Sequence, residues 1–199
     1  MKHTKSFSTQ IIAGRFKGKL LEIPNIKTTR ASKSIIRGSL FDTLQNEIIG
    51  KNFVEVFAGS GSVGLEALSR GANHLFFIEQ NPNVFRTLKN NINKLSSQDC
   101  TAILGNSFVE FPNLQKKLKS LGIKTYFYID PPFSIREGME DIYEQSISLI
   151  GHIEPNICQM VIVEHMTTLD LSPKIDSLIK SKERRFGKTT LSYYLPTEP

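Results

Sequence analysis

Cysteine is scarce: the 199 residues contain two, Cys100 and Cys158. They make no Cys-x-x-Cys pair and no metal-ligand cluster, so neither a disulfide scaffold nor a bound metal is expected. Each opens an apolar run, where a small buried thiol fits, and a reducing cytoplasm suits both. Long apolar runs are lacking too. No stretch approaches the roughly 20 residues that span a bilayer, so no membrane association is expected. The start, Met1-Lys2-His3-Thr4-Lys5, is basic but has no apolar core behind it, and no secretory signal is expected. There is no internal repeat, low-complexity tract or coiled-coil pattern, and a monomer is the expectation.

Acidic residues are scarce in one region. Residues 1–40 hold nine Lys or Arg against one acid, Glu22, a charge of +8 where the whole chain carries +6. The other 159 residues therefore sum to −2. A second basic cluster is Lys180, Lys182, Arg184, Arg185 and Lys188. Charge segregated in this way fits a polyanion partner. Few aromatics interleave with it, Phe16 and Phe186 being the exceptions, so the clusters read as phosphate contacts without sequence preference. A hydrophobic content of 39% and a charged content of 22% are ordinary for one globular domain with a small appendage.

The densest information lies in residues 54–67. An apolar strand pattern runs into Gly59-x-Gly61-x-x-Gly64 and then into a helical pattern. In such a turn one glycine permits backbone angles closed to side chains, one admits a ligand to the main chain, and one lets helix and strand pack closely. The helix N-terminus that follows suits an anionic group. Twenty residues after Gly59 the next strand, 74–79, ends in Glu79, where a doubly wound fold places a carboxylate for ribose hydroxyls. The unit reads as a nucleoside-cofactor pocket.

Taken in order, residues 9–14 and 19–23 read as a hairpin around the basic tip Arg15-Phe16-Lys17-Gly18. A helix over 33–48 buries Ile36, Leu40, Phe41, Leu44 and Ile48, while Lys33 and Arg37 share another face and reach phosphates together. Strands are expected at 53–57, 74–79, 101–104, 125–129 and 160–164. Helices are expected at 62–69, 82–93, 111–121 and 137–150. A closing antiparallel pair, 181–186 and 189–195, adds edge strands. The alternation predicts an α/β fold: a doubly wound, Rossmann-like sheet, mostly parallel, with helices on both faces. The N-terminal hairpin and helix, residues 1–48, form an extension to the domain spanning 49–199.

Ligands of such sheets bind outside the carboxyl ends of the strands. Gly59 to Gly64, Glu79, Asn106-Ser107, Asp130-Pro131-Pro132-Phe133 and Glu164 converge on that rim. The prolines fix the backbone and remove competing N–H groups. Asp130 and the Pro131 carbonyl can then accept from one planar amine, and Phe133 offers a face on which a base can stack. A nucleobase amine is a poor nucleophile, so aiming its lone pair at an electrophilic methyl is what such a loop can do.

The chain resembles class I S-adenosylmethionine-dependent methyltransferases. More closely, it resembles the RsmD family, which methylates the exocyclic N2 of one guanine in 16S ribosomal RNA. The likeness rests on residues 11–20, the Arg37-x-x-Leu40-Phe41 helix, residues 57–72, Ile78-Glu79 and Asp130-Pro131-Pro132-Phe133. Ala31, Ser32 and Gly38 depart from the family's pattern. The resemblance implies that Glu55, Phe57, Gly59, Ser60, Gly61 and Gly64 hold the methionyl end of S-adenosylmethionine. It assigns the ribose to Glu79, the adenine to Asn106 with Ser107, and the target guanine to Asp130, Pro131 and Phe133. It implies that Arg15, Lys17, Lys19, Arg30, Lys33 and Arg37 grip 16S RNA or an assembling small subunit. The residues themselves also leave open adenine-N6 methylation, a nicotinamide-dependent oxidoreductase with His165 near the rim, and an idle RNA-binding protein. A cytosine-C5 enzyme is disfavoured, because Cys158 precedes its strand.

Overall fold

The computed structural model describes residues 7–24, 30–132 and 141–197, with backbone alone for 30–32. Phe133, Lys27, the side chain of Arg30 and the expected helix start at 137 lie outside the described residues.

An antiparallel pair, β1 (Phe7–Gln10) and β2 (Leu20–Ile23), precedes α1 (Arg30–Leu44) and a 3-10 turn (Gln45–Ile48). Strands and helices then alternate: β3 (Asn52–Glu55), α2 (Ser62–Ser69), β4 (His74–Glu79), α3 (Pro82–Leu95), β5 (Cys100–Leu104), α4 (Ser107–Leu121) and β6 (Thr125–Ile129). The chain continues through α5 (Ile142–Gly151), β7 (Cys158–Met166), β8 (Lys174–Ile175), β9 (Leu178–Phe186) and β10 (Thr189–Pro196). One eight-stranded sheet has the order β5-β4-β3-β6-β7-β10-β9-β8. From β5 to β7 the pairing is parallel; β10, β9 and β8 are antiparallel.

The central strands are apolar on both faces because both are covered. Phe53, Phe77, Tyr126 and Tyr128 point into one buried cluster, which also takes Ile36, Leu40 and Phe41 of α1 and Ile11 and Leu21 of the hairpin. Val54, Phe76, Phe127 and Ile129 point into the other, with Phe111, Leu114 and Leu118 of α4. The N-terminal extension thus shares a core with the sheet. Each fully buried side chain of this size contributes about 1.5–3 kcal/mol.

The structure departs from the sequence pattern in several places: the first strand is Phe7–Gln10 and not 9–14, α1 begins at Arg30 and not at 33, and β7 runs over Cys158–Met166 and not 160–164. α4 begins at Ser107 and not at 111, because the Asn106 side chain accepts from Phe108 N–H and caps it four residues earlier. Pro112, inside the helix, had masked that start. β10 is not an edge strand: it lies between β7 and β9. The two-residue β8, too short to show periodicity, forms the edge.

Candidate active site

The parallel pair β3 and β6 is where the strand order changes direction, with β4 and β5 added on one side and β7 on the other. A cavity of about 170 Å³ lies there, at their carboxyl ends. Thr9 and Lys33 from the extension, Phe57, Gly59 and Ser60 from the glycine loop, and Glu55, Tyr128, Asp130 and Glu164 from the sheet line it. That is where a doubly wound sheet leaves a crevice.

On one side stands the glycine loop. Gly59 has φ +52°, and a side chain there would point into open space. At Gly64 an added Cβ would fall 2.5 Å from the Phe77 ring, so close packing of α2 against β4 requires the glycine. The helix N-terminus already has an acceptor of the protein's own: Gly64 N–H donates to Glu55 Oε2 at 2.8 Å. Burial pushes the Glu55 carboxyl up to about 8, and the backbone N–H groups of Gly64 and Val63 oppose that rise. Glu79 accepts from Gly59 N–H at 2.9 Å through Oε2 and from Asn81 N–H at 2.7 Å through Oε1. Asn91 on α3 donates to the Ser60 carbonyl at 3.0 Å and to the Glu22 carbonyl at 2.9 Å, joining the loop to β2. Ser107 is buried, and its hydroxyl donates to the Val56 carbonyl at 2.5 Å. Phe57 meets Phe108 edge-on, with centroids 5.6 Å apart.

On the other side Asp130 and Glu164 are joined by Lys33 and Tyr128, which no local motif announces. Asp130 follows the last residue of β6 and lies beside Glu164, which is still within β7, since Ile129 and Val163 are register partners. Lys33 reaches across from α1 and sits 3.2 Å from Asp130 Oδ2. Burial raises the Asp130 carboxyl, and Lys33 opposes the rise; in return Asp130 raises the Lys33 ammonium. Glu164, 4% exposed, accepts on Oε2 from the Tyr128 hydroxyl. Burial, and then the charge of Asp130, push its carboxyl up to about 7. Burial, with Glu164 nearby, also raises the Tyr128 phenol well above its ordinary value. Pro131 is buried behind Asp130.

The basic face is more selective than the sequence suggested. Arg15, Lys17 and Lys19 are exposed on the loop between β1 and β2. Arg15 sits 4.7 Å over the Phe16 ring and pairs with Asp99 at 3.1 Å. That loop is clamped to α2. Fully buried Glu66 accepts from Ile12 N–H at 2.8 Å and Ala13 N–H at 3.0 Å, and Ser69 Oγ donates to the Ala13 carbonyl. Gly14 lies so close that an added Cβ would meet the Ser69 carbonyl oxygen at 1.9 Å. No role for Glu66 or Ser69 is expected from sequence patterning. Arg37 is a correction. It is 3% exposed and donates to the Gln10 carbonyl at 2.7 Å, with Nε 3.6 Å from Glu66 Oε2. A guanidinium spent on internal acceptors cannot share a phosphate with Lys33, and Lys33 is turned to Asp130. On the C-terminal hairpin Arg184 donates to Ser39 Oγ of α1 at 2.9 Å.

His165 is buried. Its Nδ1–H donates to the Met166 carbonyl, so Nε2 accepts from Ser192 Oγ, both at 2.9 Å. It bridges β7 and β10 and does not line the cavity. Both cysteines start their strands, at the end of the sheet away from the rim.

Comparison with known proteins agrees with this geometry. Residues 9–195 match the family model described as "Conserved hypothetical protein 95". The chain is 32% identical to Ribosomal RNA small subunit methyltransferase D of Buchnera aphidicola subsp. Baizongia pistaciae, over 98% of this chain and 95% of that protein. It is 31% identical to the Haemophilus influenzae protein of the same name, over 87% of each. The solved structure of yhhF from Escherichia coli superposes with a TM-score of 0.73 at 24% identity, over 97% of this chain and all of that one. The sheet is that of class I methyltransferases. With the family model spanning nearly the whole chain, this protein belongs to the RsmD family.

Proposed function

We propose that the protein is a cytoplasmic, monomeric methyltransferase that moves a methyl group from S-adenosylmethionine to the exocyclic N2 of a guanine in 16S ribosomal RNA. The observation that carries this reading is one cavity with a glycine loop on one side, its Gly59 N–H held by Glu79, and Asp130 on the other. The named relatives support the RNA class of substrate.

The cavity suits the cofactor chemically. The space beside Gly59 admits a ligand to the backbone, and Glu79, which accepts the Gly59 and Asn81 N–H groups, keeps further lone pairs for a diol. When bound, S-adenosylmethionine supplies an electrophilic methyl. The protein's residues do the rest. Asp130 and the Pro131 carbonyl accept the two amine N–H groups, turning the lone pair toward the methyl. Such alignment is worth up to roughly 7–11 kcal/mol. Asp130, raised by burial, takes the proton that the amine sheds. Lys33 must yield its place on Asp130 as the base enters. The extension, residues 1–48, supplies the RNA grip through Arg15, Lys17 and Lys19. A base reached this way leaves its stack, at a cost of a few kcal/mol that is smaller in a loop or junction.

The test is transfer from labelled S-adenosylmethionine to unmodified small-subunit particles and to naked 16S RNA, followed by nucleoside analysis. N2-methylguanosine at one site supports the proposal. N6-methyladenosine replaces it with the adenine reading.

A further inference from the structure

The Asp-Pro-Pro loop holds an amine and is indifferent to the base that carries it. Guanine and adenine differ beside that amine: N1 of guanine bears a hydrogen, whereas N1 of adenine is an acceptor. A site that chooses guanine needs a second acceptor next to the one that holds the amine.

Glu164 stands there. It follows Val163, the register partner of Ile129, so it stands in β7 beside Asp130. It lines the same cavity and is 4% exposed. Among the described residues the hydrogen bond it accepts falls on Oε2, from the Tyr128 hydroxyl. That bond holds one oxygen of the carboxyl and leaves Oε1 as the remaining acceptor of a side chain that lines the cavity. Tyr128 is itself buried beneath the site, so the pair is held as a unit. The reaction needs one carboxylate, Asp130, to hold the amine; it gives Glu164 no task.

We propose that Glu164, fixed by Tyr128, accepts the N1–H of the target base and so selects guanine over bases whose N1 is a lone pair. This rests on the reading of the cavity as a guanine-N2 site. Above about pH 7, where Glu164 is ionised, an adenine placed with its amine on Asp130 would turn its N1 lone pair toward a carboxylate, and the repulsion rejects it. Sites that read an N–H with a buried acceptor discriminate strongly, because the analogue leaves that acceptor unpaired.

The test is Glu164→Gln, a near-isosteric change whose amide oxygen still takes the Tyr128 hydroxyl and whose NH2 can donate to an N1 lone pair. Substrates are 16S RNA with guanine, or with 2-aminopurine, at the methylated position; 2-aminopurine keeps the N2 amine and lacks the N1 hydrogen. Wild type should prefer guanine, and in E164Q that preference in kcat/KM should shrink by about 10–100-fold. Loss of O6 is common to both proteins and cancels in the comparison. S-adenosylhomocysteine affinity near wild type and a single cooperative unfolding transition, measured on the same samples, separate selection from loss of the fold. An unchanged guanine preference in an active, folded E164Q overturns the assignment and leaves the guanine-N2 reading standing. Wild-type protein that methylates adenine N6 instead overturns both.

Discussion

The two sides of the cavity are built differently. The glycine-loop side is made mostly of backbone. Gly59 and Gly64 donate N–H groups to Glu79 and Glu55, and its parts lie within residues 55–79. The Asp130 side is made of side chains from three distant places: Lys33 on α1, Tyr128 and Asp130 on β6, and Glu164 on β7. On the first side, shape is set by what can pack against a glycine. On the second, charge is set by mutual burial, and each group's proton affinity depends on the others. The first suits a cofactor bound the same way in every turnover; the second suits a base that must be oriented and relieved of a proton.

The comparison can be broken by substitutions on either side. Asp130→Ala carries the largest expected effect: methyl transfer should fall by about 10²–10⁴-fold in a labelled-methyl assay. Gly64→Ala, on the loop side, should lower the unfolding free energy by about 1–3 kcal/mol in urea melts, because its Cβ meets the Phe77 ring. Glu164 gives a pH signature. Its carboxyl is raised from 4.5 to about 7 in the folded protein, so its contribution to stability is fully present below pH 4.5 and is lost as pH rises through 7. The stability of wild type relative to Glu164→Gln should therefore fall between pH 4.5 and 7, by up to about 3 kcal/mol, in melts at both ends of that window. Arg15→Glu with Lys17→Glu should weaken RNA binding and reduce its salt slope by about two. Unchanged affinity across a salt titration would remove the β1–β2 loop from the RNA face. Lys33→Ala should have the smallest effect. Lys33 opposes the rise of Asp130, so its loss should move the acid limb of the kcat/KM profile to higher pH.

The sequence disclosed these sides unequally for the same physical reason. The order of strands and helices was legible because apolar runs and glycine turns are local signals. So were Gly59 to Gly64, Glu79 and Asp130, each fixed by its place at a strand end. Arg37 was misplaced. On a helical wheel it shares a face with Lys33, but that face looks inward at Glu66, a residue 29 positions away. Glu66 and Ser69 lay in plain view beside the glycine loop, yet their partners are backbone groups of residues 12–16, which no periodicity reveals. Lys33 read as one more cation in a basic region; only the fold brings it to Asp130. Tyr128 read as a core aromatic, which it also is. Glu164 was placed on the rim, but its hydroxyl partner depends on the pairing of β6 with β7.

The central claim is that the cavity has a cofactor side and a base side that can be damaged separately. The direct test is calorimetric titration of S-adenosylmethionine into Asp130→Ala and Glu79→Ala, with methyl transfer measured on the same preparations. The account predicts that Asp130→Ala binds the cofactor within about threefold of wild type and transfers almost nothing, a shift of well under 1.4 kcal/mol in binding. It predicts that Glu79→Ala loses about 10–100-fold in cofactor affinity, as expected when charged hydrogen bonds to a diol are removed. Loss of cofactor binding in Asp130→Ala, or unaltered binding in Glu79→Ala, would contradict the division.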